Sequence, residues 1–130
     1  LNDDIYLTQN DIHEVMLARG AIAAGVELLA KTLGIEVSDI DRVLLAGAFG
    51  SFLNADNACR IGLLPAGLEG KATAVGNAAG VGACRMALSR AEFERTAELL
   101  KHIQFVELAN LPDFMTVFAR RMGFTEQEVD

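Results

Sequence analysis

The chain has 130 residues, enough for one domain with a real core, and 52% of them are hydrophobic. That palette of Ala, Gly, Leu and Val belongs to a compact α/β domain and excludes a disordered segment. A net charge of −7 with no Lys/Arg cluster argues against nucleic acid as a partner, because binding a phosphate backbone needs a basic surface.

No apolar run approaches the roughly 20 residues of a membrane span, and the polar opening Leu1-Asn2-Asp3-Asp4 does not read as a signal peptide. Cys59 and Cys84 are too few and too far apart for a disulfide framework or a Cys-X-X-Cys metal site. Both read as reduced thiols on apolar helix faces, in keeping with a cytoplasmic protein. A start at Leu1 rather than Met leads us to expect a piece of a longer protein.

Along the chain, Ile5-Tyr6-Leu7 reads as a short strand. Thr8-Gln9-Asn10-Asp11 then has the form of a capping box that starts a helix near Gln9. Apolar residues recur with a 3.6-residue period from Ile12 through Val15, Ile22, Val26 and Leu29 to Leu33, and Gly34 stops the helix. Its other side, with Leu17, Ala21, Ala24 and Leu28, leaves only a sliver of polar surface at His13, Glu27 and Lys31. Such a helix is packed on more than one side, which makes residues 9–33 a candidate homodimer surface.

Val43-Leu44-Leu45-Ala46 predicts a fully buried strand, since it does not alternate. Gly47-Ala48-Phe49-Gly50 follows as a turn, and Asn54 caps a short helix that ends at Gly62. Pro65 and Gly67 mark a loop. Ala72-Thr73-Ala74-Val75 is a second buried strand, broken at Gly76-Asn77, and Ala78 to Leu88 is a helix of small and apolar residues. Ser89-Arg90-Ala91-Glu92 is a second capping box, opening an amphipathic helix to about Lys101. Ile103 to Leu108 reads as a last strand. Asn110-Leu111-Pro112-Asp113 starts a final helix, and the acidic tail after Gly123 is expected to fray.

This order, β-α-β-α-β-α-α-β-α, predicts a mixed, mainly parallel sheet with helices on both faces. Ligands of such sheets sit at the carboxyl ends of the strands. Both glycine segments, Gly47-Ala48-Phe49-Gly50 and Gly76-Asn77, fall there. Glycine lets a flat ring or a phosphate reach the main chain; equally, these glycines could serve turn geometry alone. Neither G-x-G-x-x-G nor G-x-x-x-x-G-K-[ST] occurs, so the dinucleotide and P-loop readings fail.

Arg19 is the one charge within the apolar stripe of the first helix, and a buried guanidinium needs a partner. That partner is either a ribose hydroxyl or phosphate of a ligand, or a carboxylate of this chain. Asn77 is placed to cap its helix while its backbone touches a ligand. Asn54 and Asp56 read as capping residues, and Glu14, His13 and His102 as surface residues.

Three segments, "TQNDIHEVMLARGAIAAGVELL", "VLLAGAFGSFLNADNACRIGLLP" and "AVGNAAGVGACRMALS", resemble, in this order and spacing, the C-terminal domain of the reductive activators of corrinoid iron–sulfur proteins. These redox ATPases belong to the superfamily of acetate and sugar kinases, heat-shock chaperones and actin. The resemblance runs from Ile5 to about Phe118 and implies a ribonuclease-H-like lobe, half of a two-lobed ATP site. It puts the adenosine on Gly47, Ala48, Phe49 and Gly50, and makes Gly76, Asn77, Ala78 and Ala79 the start of the helix that closes the site. It also implies a corrinoid protein as partner, reduced from cobalt(II) to cobalt(I) at the expense of ATP. In such relatives an amino-terminal ferredoxin-type domain supplies the electron.

The superfamily's Asp-x-Gly-Thr-like phosphate loop has no match, since Asp3-Asp4 runs into Ile5-Tyr6, and no ferredoxin cysteine pattern is present. The Mg²⁺ ligands and the iron–sulfur cluster are therefore expected outside residues 1–130. The alternatives are a subdomain of a kinase or of an acyl-CoA-dehydratase activator of the same superfamily, or a non-catalytic dimerisation module.

Overall fold

The computed structural model describes residues 5–123. Helix α1 spans Gln9–Leu33 and begins at Thr8, whose hydroxyl accepts from the Asp11 N–H at 3.1 Å while the Asp11 carboxylate accepts from the Thr8 N–H at 2.8 Å. This is the expected capping box. The helix ends at Gly34, with φ of 70°. A 3₁₀ turn at Val37–Asp39 leads to strand β1, Val43–Ala46. Helix α2, Gly47–Phe52, follows directly, and Asn54 caps helix α3, Ala55–Arg60, by accepting from the Asn57 N–H. Strand β2 is Ala72–Gly76; helices α4, Ala78–Leu88, and α5, Arg90–Leu100, are separated only by Ser89. Helix α6, Phe114–Met122, comes last.

β1 and β2 form a parallel pair, Val43 opposite Ala72 and Leu45 opposite Ala74, the only sheet among the described residues. Beneath it lies the core of Ala58, Leu64 and Leu68, against which Val26, Val43, Leu53 and Ala72 pack. The other face is open: Leu44 is 59% and Val75 40% exposed. Neither strand read as fully buried is so: β1 alternates and β2 is exposed from Thr73 to Val75, and helices on both faces are not found among the described residues. Four apolar residues in a row say nothing of what covers them.

Two expected strands are absent. Ile5–Leu7 and Ile103–Leu108 are irregular, with Ile5, Tyr6, Leu7, Ile103 and Phe105 exposed. Neither finds a neighbouring strand, and an extended segment gains its hydrogen bonds only from one. Leu108 instead opens a 3₁₀ turn, Leu108–Asn110, with its side chain over Gly25 of α1. The tail after Gly123 lies outside the described residues.

α1 and α6 form the tightest helix pair, and they run antiparallel: Lys31 near the end of α1 pairs with Asp113 at the start of α6, whereas Arg19 reaches Met122 and Gly123 at its end. A Cβ on Gly20 would lie 2.7 Å from Met122 Cγ and 3.2 Å from the Phe118 carbonyl oxygen, so the missing side chain sets how closely the helices approach. Phe114 and Phe118 stack with ring centroids 5.9 Å apart on α6. Among the described residues no helix is long and apolar enough to cross a membrane.

Candidate functional site

The register of the two strands decides whether the two glycine segments can act together. Pairing slips by one residue after Leu45, so that Ala46 stands opposite Gly76. Because the strands are parallel, Gly47 and Asn77 leave the same edge of the sheet side by side, and α2 packs against both strands. Each segment needs glycine where the strand ends, with φ of 78° at Gly47 and 61° at Gly76, a region that side chains with a Cβ rarely adopt. A Cβ built on either residue would meet nothing within 4 Å. Both therefore present bare main chain to open space at the sheet edge where ligands of α/β domains sit.

Gly47 to Gly50 is not the free turn the sequence suggested. It is the first part of α2, helical from Gly47 to Phe52. The positive φ of Gly47 redirects the chain within one residue, so no separate loop is needed. Asn77 caps α4 as expected, its Oδ1 accepting from the Gly80 N–H at 2.9 Å. Gly80 was missed in the sequence. A Cβ there would stand 2.5 Å from Asn77 Nδ2, so the Asn77 side chain lies where it does because the third residue of the helix has no side chain. The spacing Asn-x-x-Gly is the signal that could have revealed it.

Arg19 is only 1% exposed, and its guanidinium donates to the main-chain carbonyls of Met122, at 3.2 Å, and Gly123, at 2.7 Å. These carbonyls lie at the end of α6, where a cation is favoured by the helix dipole. Arg19 thus belongs to the α1–α6 pair. Glu27, read as part of a polar sliver, holds Arg120 and Arg121 of α6, the latter at 2.9 Å. Partial burial works against its charge, but the hydrogen bonds from Arg121 and Arg120 outweigh that and hold its carboxyl below the ordinary range.

Cys59 is half-buried, and burial, with Glu69 and Asp56 nearby, pushes its thiol up, which disfavours the thiolate. Cys84 is exposed on α4 rather than buried on an apolar face. His13 and His102 are exposed, as expected. Among the described residues no group of three or more His, Cys, Asp or Glu could hold a metal ion.

Two helices thus leave the same end of a parallel strand pair, each strand giving way to its helix at a glycine of positive φ, an arrangement that belongs to α/β domains. The family model described as "C-terminal domain of RACo the ASKHA domain" matches residues 1–130, and the chain belongs to that family. It is 39% identical over 122 residues to "Corrinoid activation enzyme RamQ" of Eubacterium limosum, covering 93% of this chain and 20% of that protein. It is also 30% identical over 103 residues to the "[Co(II) methylated amine-specific corrinoid protein] reductase" of Methanosarcina barkeri, covering 79% of this chain and 19% of that protein. The chain thus spans about a fifth of the length of these relatives.

Proposed function

We propose that this chain is the ATP-binding subdomain of a reductive activator of corrinoid proteins. In it the main chain of Gly47, Ala48, Phe49 and Gly50, with Gly76 and Asn77, receives the adenosine. One observation supports this reading above all: Ala46 pairs with Gly76, so both segments open on the same sheet edge with no Cβ in the way. The two-stranded pair would be part of a larger ribonuclease-H-like sheet. Arg19 would take part through the α1–α6 pair, where its guanidinium donates to the carbonyls of Met122 and Gly123.

In this reading the remaining polypeptide supplies the Mg²⁺ ligands, the phosphate loops and an iron–sulfur cluster. What this chain does is bind and orient the nucleotide. ATP binding and hydrolysis, coupled across the two lobes, would drive reduction of cobalt(II) to cobalt(I) in a partner corrinoid protein. In this reading the protein works in the cytoplasm.

Titrating the full-length polypeptide with Mg·ATP while following the cobalt(I) absorbance of its corrinoid protein tests the proposal. A saturable ATP dependence is expected. Reduction at the same rate without ATP would refute it. A second reading, self-association through α1, is favoured by Val15, Ile22 and Leu29, which stand seven residues apart and are all exposed. Sedimentation of Ile22→Glu against the unchanged protein tests it, a loss of dimer being the expected result.

A further inference from the structure

Helix α5 is amphipathic, and much of its apolar surface is exposed. The groove of about 380 Å³ between α4 and α5 is lined by Gly82, Arg85 and Met86 on one side and by Glu92, Arg95, Thr96 and Leu99 on the other. A neighbouring flank of α5 carries Phe93, Ala97 and Leu100, at i, i+4 and i+7, on one face. All three are exposed, Phe93 at 62%. Leu88 before the helix and Ile103 and Phe105 after it are exposed as well. No residue of α4 or α5 is buried.

The charges of α5 are matched within the helix, Arg90 to Glu94, Arg95 to Glu92 and Lys101 to Glu98. The stripe therefore asks for an apolar surface and offers nothing to a strongly charged one. A row of large apolar side chains of this kind is a contact surface. Nothing among the described residues covers it. Relatives that contain the same segment, α5 included, are about five times as long as the matched region. From this we infer that the Phe93–Ala97–Leu100 stripe is an intramolecular docking face, covered by an apolar surface of the same polypeptide outside residues 1–130. The inference rests on the family membership and not on the nucleotide site.

Hydrogen exchange of the full-length polypeptide tests it, read on the amides of residues 91–105. Protection at least about tenfold above that of an uncovered helix is expected. It should be unchanged over an about hundredfold range of protein concentration, as an intramolecular contact requires. Protection that rises with concentration would assign the stripe to a second copy and overturn the inference. So would protection that appears only when the corrinoid protein is added, or none under any condition. The double variant Phe93→Glu/Leu100→Glu should abolish the protection at 91–105 and leave that of residues 12–33 intact. An equal loss at 12–33 would mark the stripe as part of the domain's own core and would also overturn it.

Discussion

Gly20 sets two opposing effects against each other, and the structure says which prevails. Replacing an interior helical glycine by alanine ordinarily stabilises by about 1 kcal/mol, through helix propensity. At Gly20 the new Cβ would sit 2.7 Å from Met122 Cγ, 3.2 Å from the Phe118 carbonyl oxygen and 3.3 Å from the Met122 nitrogen. The thioether arm can swing away. The two main-chain atoms cannot, unless α6 moves as a body, and Arg19 and Glu27 tether that helix. Overpacking of this kind costs typically 1–3 kcal/mol, so Gly20→Ala should lose about 1 kcal/mol net, or roughly 3–4 °C of melting temperature. Gly82 on α4 is the control: a Cβ there meets nothing within 4 Å, and Gly82→Ala should gain about 0.5–1 kcal/mol. Urea unfolding of the two variants measures both. A Gly20→Ala protein as stable as Gly82→Ala would refute the claim that α1 and α6 are in main-chain contact.

Asn77→Ala removes the cap of α4 and should cost about 1 kcal/mol. Gly80→Ala displaces the same side chain, so the double variant should fall well short of the summed losses in a double-mutant cycle. Arg19→Met leaves the carbonyls of Met122 and Gly123 without this donor and should cost about 2–3 kcal/mol, with faster amide exchange confined first to the end of α6. Glu27 titrates below its ordinary value of 4.5, so its contribution is complete above that pH and is lost as the pH falls through the depressed value. Acid unfolding of Glu27→Gln should lack this part of the pH dependence, and a curve parallel to that of the unchanged protein would contradict the pairing with Arg120 and Arg121.

Local chemistry was the part of the fold most legible in the sequence. Thr8, Asn54, Asn77 and Ser89 cap the helices assigned to them, because a cap is decided by a side chain and a main-chain N–H three residues away. Strand existence was not legible in the same way. Ile5–Leu7 and Ile103–Leu108 have strand composition, but pairing is a property of the neighbour, and no neighbour stands beside them among the described residues. Of the candidate site, the placement of the glycines on strand ends was readable, while their alignment was not. It depends on the parallel pairing of β1 with β2, which brings both strand ends side by side. Arg19 was recognisable as a buried charge needing partners, but those partners lie more than 100 residues away in α6, beyond any spacing argument.

The nucleotide assignment is tested most directly by the ATP affinity of the full-length polypeptide carrying Gly47→Asn. Asparagine is among the residues that best tolerate positive φ, so the strand end should survive while a side chain fills the space that Gly47 leaves open. Calorimetric titration should show Kd weakened by about tenfold or more, the equivalent of about 1.4 kcal/mol, at an unchanged melting temperature. An unaltered Kd would mean that the nucleotide does not lie on this sheet edge.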